Sequence, residues 1–219
     1  MRGRVLAAIL GAAAVASPPS HAAGPSWAGW ASSPRPVDAA SLEPMERAAL
    51  EACGQGDEGL RDTARAVLRQ KLHGLPIPEL DAIEAAQRAA GEPHPWPRVW
   101  AASARGLNRD AVLPRLQAWL GAASRTRRCG VAEGNSPDGR RTVVVVTVDA
   151  LADLAPLPIR ARTGQWLTVE ARMRAPATGG RVVVMHGDEA PRTVPSWFDG
   201  TTLRARFTAD RPGEMAVQV

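Results

Sequence analysis

The sequence predicts an α+β fold in two modules, and three observations carry that reading. Apolar residues recur at helical spacing through several segments before any secure strand signal. A β-branched run, Thr142 to Val148, follows them. Past Pro156 the apolar period changes to two, with turn residues at regular intervals. A chain of 219 residues, 45% of them hydrophobic, is long enough for two modest cores.

Taken in order, Ser41 is placed to cap a first helix in which Leu42, Met45, Ala49 and Cys53 share one stripe and Gly54 stops the last turn. Asp57 opens a second, with Leu60, Ala64, Val67, Leu68 and Leu72 inward and Gly74 at its end. A third carries Pro78 in its first turn, turns Leu80, Ile83 and Ala86 or Gln87 inward and stops at Gly91. Three prolines between Glu92 and Pro97 exclude helix there, and Val99 to Ala102 reads as a short strand or an extended connector. Asn108 caps a fourth helix to about Leu120, with Leu113, Leu116 and Leu120 inward and Pro114 delaying or kinking it. Cys129 to Ala132, a polar turn from Asn135 to Gly139, and the run Thr142 to Val148 make a hairpin whose valines imply burial on both faces.

In the second module Leu167, Val169, Ala171 and Met173 alternate with Thr168, Glu170 and Arg172, and Leu203, Ala205, Phe207 and Ala209 alternate with arginine and threonine. Val182 to Met185, Val194 to Trp197 and Met215 to Val219 supply three more strands. Turns fall at Thr178-Gly179-Gly180, Gly187-Asp188-Glu189, Asp199-Gly200 and Asp210 to Gly213. Short strands at this spacing predict an immunoglobulin-like β-sandwich, and the stop at Val219 in mid-strand predicts that it lacks its last strand. Such an open edge is expected to be completed by a longer parent protein or by another chain.

The module boundaries expected are 41–156 and 157–219. Residues 1–22 read as an export leader: Arg2 and Arg4, an apolar stretch from Val5 to Ala16 too short to span a bilayer, then small residues up to a cut after Ala22. Residues 23–40, rich in Pro, Ser and Gly, read as an irregular tether. Trp27 and Trp30 within it are expected to strap onto the adjacent domain, the alternative being contact with a glycan. Export makes the two cysteines, Cys53 and Cys129, a disulfide that pins helical layer to hairpin. No C-x-x-C and no third or fourth ligand at zinc spacing argues otherwise.

The formal net charge is +5, two of which belong to the leader, and the basic residues are dispersed, so nucleic acid is not an expected partner. The one cluster, Arg125-Thr126-Arg127-Arg128, reads as a solvated loop or a contact for an anionic lipid or glycan. His73, His94 and His186 are expected at the surface, and Asp149, Asp153, Asp188 and Glu189 as solvated turn acids. No H-E-x-x-H, G-x-S-x-G or glycine-rich phosphate loop occurs, so no catalytic residue, metal ligand or cofactor is assigned. The helices have mixed polar faces, unlike membrane-surface helices. No membrane span is expected in the mature chain.

Trp96-Pro97-Arg98-Val99-Trp100, Arg128-Cys129-Gly130-Val131-Ala132, Val148 to Pro158 and Asp210-Arg211-Pro212-Gly213 together resemble the region that precedes the CAP (SCP-like) domain in a group of secreted bacterial proteins. The resemblance implies a leader, a helical-plus-sheet segment and a β-domain, followed by a CAP domain that this sequence does not contain. The CAP domain's own paired histidines and glutamates and its Gly-Glu-Asn segment have no counterpart here, so no site residue carries over.

The function expected is that of an exported, non-catalytic accessory, binding or spacer region at the cell envelope, read as a fragment of a longer CAP-domain protein. Its partner would be an envelope component or the missing C-terminal domain. The alternatives are an envelope-polymer hydrolase with a cleft in the first module near His94 and Trp96, and a glycan binder acting through Trp27 and Trp30.

Overall fold

The computed structural model describes residues 30–187 and 189–219. The leader, its cut after Ala22, Trp27 and Asp188 lie outside them. The order is β1 (Trp30–Ser33), a 3-10 turn (Ala39–Ser41), α1 (Pro44–Cys53), β2 (Gln55–Gly56), α2 (Glu58–Leu72), α3 (Leu80–Ala89), β3 (Arg98–Ala104), α4 (Arg109–Leu120), β4 (Arg127–Asn135) and β5 (Arg141–Asp149). It continues with β6 (Ala152–Pro158), β7 (Trp166–Met173), β8 (Val182–His186), β9 (Arg192–Val194), β10 (Ser196–Phe198), β11 (Thr202–Thr208) and β12 (Met215–Gln218). The fold is α+β.

The first sheet has the order β2-β4-β5-β3, with β2 parallel to β4 and the other pairs antiparallel. Alternate valines of β5 serve opposite cores. Val143 and Val145 pack with Met45, Ala49 and Cys53 of α1 and Val112, Leu116 and Leu120 of α4. Val144, Val146 and Val148 pack with Leu60, Ala64, Val67 and Leu68 of α2 and Ile83 of α3. A strand covered on both faces has no polar positions to alternate with, which is why the run reads as continuous β-branched residues. Cys53 and Cys129 are disulfide-bonded, closing a sequence separation of 76 residues between the end of α1 and the start of β4.

Helix ends differ from expectation in identifiable ways. Ser41 does not cap α1: Pro44 occupies the first turn, Glu43 precedes it, and Glu43 N donates to Glu46 Oε2 at 3.1 Å. Ser41 instead ends the 3-10 turn and accepts from Arg61 Nη1 at 2.8 Å. Pro78 lies outside α3, which begins after Glu79. In α4, Val112 and not Leu113 is the fully buried residue of the first turns, and Pro114 sits inside the helix. Asp57 and Asn108 cap as expected, accepting from Gly59 N at 2.7 Å and Ala111 N at 2.9 Å.

Two further sheets follow, of order β1-β6-β7-β11-β10 and β12-β8-β9, all pairs antiparallel. One core lies between them: Leu167, Val169, Ala171, Leu203, Ala205 and Phe207 meet Val182, Val184 and Val194. One correction concerns organisation. The stretch expected to be an irregular tether contains β1, which pairs Ala31 with Leu157 and Ser33 with Leu154. Near the expected boundary, Ala150 N donates to Thr126 O before β4 while Leu151 O accepts from Arg174 N after β7. Pro156 and Pro158 belong to β6 beyond its last pairing with β7, where the missing N–H groups leave no bond to that neighbour unmade.

Candidate functional site

Chemistry-bearing residues gather in two places, a buried charged joint between the modules and an exposed aromatic face on the second sheet. The joint begins with the chain leaving β1. Ser33 Oγ and Arg35 N donate to Asp57 Oδ2 at 3.2 and 2.9 Å, while Asp57 Oδ1 caps α2. Glu58 N donates to Arg35 O and Asp57 N to Cys129 O, both at 2.9 Å, so the N-terminal strap is held to the first turn of α2 and to β4. Gly59 lets the Arg35 and Glu92 side chains approach this turn closely. A Cβ there would lie 2.3 Å from Arg35 Nη2 and 3.0 Å from Glu92 Oε2.

Glu92, buried after the end of α3, meets His94 across a 2.6 Å contact between Oε1 and Nδ1, and His94 Nε2 lies 3.2 Å from Ala152 O at the start of β6. Burial and the neighbouring Asp57 carboxylate push Glu92 up to about 7, against the opposing pull of its bond to His94. Burial pulls His94 down, but its bond to Glu92, the Glu92 charge, Ala152 O and Asp57 outweigh this and leave it raised. Both ring nitrogens face acceptors. Ala152 O only accepts, so Nε2 carries a proton, while Nδ1 donates to the Glu92 carboxylate or accepts from its protonated form, and the pair shares one further proton.

A second charged group crosses the same joint. Arg128, expected in a solvated loop, is fully buried in β4 and donates at 2.5 Å to both Gln55 Oε1 and Asp153 Oδ1. Asp153 also accepts from Arg174 Nη1 at 3.2 Å, and Arg174 Nη2 donates to Arg125 O at 2.7 Å. Arg127 donates to Leu120 O and Ala122 O at 2.8 and 2.9 Å. The basic cluster is therefore a structural clamp: its side chains satisfy carbonyls and a carboxylate that the fold brings to them. Asp153, expected as a solvated acid, is the acceptor at its centre.

The histidine expectations divide. His73 is exposed, while His94 and His186 are partly buried, their side chains 13% and 10% exposed, and His186 Nε2 lies 3.2 Å from Asp210 Oδ1. Of the two residues expected to line the alternative cleft, Trp96 is 71% exposed, and His94 is engaged with Glu92 and Ala152 O. Among the described residues no group of three or more His, Cys, Asp or Glu is arranged to hold a metal ion, and no helix is long and apolar enough to cross a membrane.

The exposed face was missed by the sequence reading, which weighed Trp27 and Trp30. Trp30 starts β1 opposite Pro158, at one edge of the second sheet. Toward the other edge, Trp166 and Trp197 are 58% and 57% exposed. Register places both on the outward side: Trp197 lies opposite Arg204, which lies opposite Glu170, and two rows further along Thr208 lies opposite Trp166. Arg204 Cζ stands 5.7 Å from the Trp197 ring centroid and Arg206 Cζ 4.6 Å from that of Trp166. Arg204 Nε donates to Glu170 Oε2 at 2.8 Å. A shallow depression between the two stacks is lined by Thr168, Pro195, Ser196, Trp197, Arg204 and Arg206. The signal was present in the alternation, since Trp166 shares the parity of Thr168, Glu170 and Arg172 and not that of the core residues.

No family model, curated protein or solved structure matches this chain.

Proposed function

We propose that this chain is an exported, non-catalytic binding or spacer region of the cell envelope, with the outward face of the second sheet as its contact surface. The observation that carries the reading is the pairing of Trp166 with Arg206 and Trp197 with Arg204 on that face. Two large indoles left in water lower solubility, and aromatic groups with arginine are the residues enriched where surfaces bind. The disulfide supports an oxidising compartment, in keeping with the leader.

An immunoglobulin-like sandwich is the finer fold reading. The order β6-β7-β11-β10 corresponds to the A-B-E-D sheet of such a domain, and β9-β8-β12 corresponds to the C′-C-F part of the opposing one. The accessory role that the CAP-region resemblance implies remains part of the proposal, though the surface chemistry supports binding without it.

The rival hydrolase reading has one observation in its favour, the contact between Glu92 and His94. That pair is enclosed with both ring nitrogens engaged, which favours a structural use over general-base work. Incubating the purified mature protein with insoluble envelope material tests both readings. The expected result is that the protein sediments with the pellet, that Trp166→Ala with Trp197→Ala leaves it in the supernatant, and that no soluble fragments are released. Release of fragments that is lost in His94→Ala would replace this reading with the hydrolase; failure to sediment would remove the binding role.

A further inference from the structure

The ligand class follows from the charge and spacing of the same face, and the inference rests on the binding reading above. We infer that the outward face of β7, β11 and β10 binds an extended polysaccharide bearing carboxylate groups. Trp166 and Trp197 are separated by two strand spacings across the sheet and four residues along it, which places them about 16 Å apart. That span suits a chain of several rings laid diagonally and exceeds what one small molecule needs.

Each indole lies against a guanidinium, so its orientation is set before any ligand arrives and little side-chain freedom remains to be lost. The floor between the two is Thr168, whose outward hydroxyl can donate to or accept from a sugar, while Ser196 Oγ at the side is committed to Val182 N and Val194 O. Sugar rings present an apolar face for stacking and a polar edge for such groups.

Charge selects the anionic class. Arg204, Arg206 and Arg172 point outward from β7 and β11 together with one acid, Glu170, and Asp199 just after β10 lies close enough to act on Arg204 and Glu170. Arg204 bonds Glu170 and holds its carboxyl below the usual range, so these two offset each other. Among the described residues no carboxylate pairs with Arg206, whose contact is the Trp166 ring. Its fork of N–H donors sits beside the depression, where it matches a carboxylate in two parallel bonds. Aromatic groups alternating with arginine also suit single-stranded nucleic acid, but an exported chain meets polysaccharide first, and nucleic acid becomes an outcome of the test.

The test uses the mature protein and three probes: polygalacturonate, a neutral soluble β-glucan and an oligothymidylate, with binding read by retardation in affinity electrophoresis and by tryptophan fluorescence. Polygalacturonate is expected to bind, more weakly at high salt, with the β-glucan bound far less. Trp197→Ala and Trp166→Ala are each expected to lower affinity about tenfold, and Arg206→Gln about fivefold, with thermal unfolding unchanged. Trp96→Ala, an exposed indole elsewhere, is expected to have no effect. Equal binding of polygalacturonate and neutral glucan would overturn the charge argument, and preference for the oligothymidylate would overturn the polysaccharide. Loss of affinity in Trp96→Ala but not in Trp197→Ala or Arg206→Gln would overturn the location. If polygalacturonate fails to bind while envelope material still retains the protein through Trp166 and Trp197, this inference falls and the binding reading stands; if envelope material is not retained either, both fall.

Discussion

Glu92 Oε1 lies 2.6 Å from His94 Nδ1, and the far nitrogen of the same ring reaches Ala152 O of the second module at 3.2 Å. One imidazole thus links the loop after α3 to the strand that opens the second sheet. Arg35 and Asp57 are the other charged groups that crowd this point, Asp57 holding the strap and Arg35 pressing on Gly59 beside Glu92.

The joint is expected to loosen as pH rises. Glu92, ordinarily near 4.5, is raised to about 7, and His94 is raised from 6.5, so in both cases the folded chain keeps a proton that the unfolded chain releases. Stability from such groups is fully present at low pH and declines as pH passes through the unfolded values toward the folded ones. Unfolding free energies from denaturant titrations should fall between pH 5 and pH 8 by an amount on the order of 1–2 kcal/mol beyond that of Glu92→Gln, in which the slope flattens. A midpoint that rises through neutrality would contradict the assignment.

Unequal costs are expected for the two arginines around Asp153. Asp153→Ala leaves Arg128 as a buried cation with Gln55 alone, and should destabilise by about 3 kcal/mol. Arg174→Ala removes a partly exposed partner and should cost about 1 kcal/mol. Urea titration of the two variants checks the order, and an equal or reversed ranking would show that Arg128 is not the group that needs the carboxylate.

Gly130 is where α2 lies directly on β4. A Cβ at that position would come within 2.0 Å of Leu60 C and 2.2 Å of Arg61 N, backbone atoms that cannot swing aside. Gly130→Ala should therefore destabilise by about 3 kcal/mol or more, the upper end for overpacking. Gly139→Ala, at a turn with open space around it but φ of 79°, should cost about 1 kcal/mol from backbone strain alone. Thermal melts of the pair compare the two mechanisms.

Reducing the Cys53–Cys129 bond should lower stability by about 4 kcal/mol, from the chain entropy regained by a loop of 76 residues. Cys53→Ala with Cys129→Ala gives the same comparison without reductant. Alkylation of both thiols in folded, non-reduced protein would show that the bond does not form.

Much of the first module is legible in the order of residues because its elements are locally determined. The stripe in α2, the caps at Asp57 and Asn108 and the valines of β5 depend on neighbours within a few positions. The misread positions are those whose partners are distant. Arg128 finds Gln55 73 residues away and Asp153 25 residues away, and nothing near Arg128 in the chain distinguishes it from a surface arginine. The strap was misread for a related reason, since Ser33 and Arg35 acquire their role from Asp57 and β1 from β6.

Periodicity by itself determined the α+β class and the buried faces of β7 and β11, because a repeat of two or of three to four residues commits one side of an element to a core, and the cysteine pair followed from the leader and the even count. Only the tertiary structure decided that the basic cluster is a clamp, that Glu92 and His94 share a joint, and that two indoles meet two arginines across neighbouring strands. Those outcomes depend on register and on segments brought together from far apart, and the energy of a polar side chain is set by what the fold places beside it.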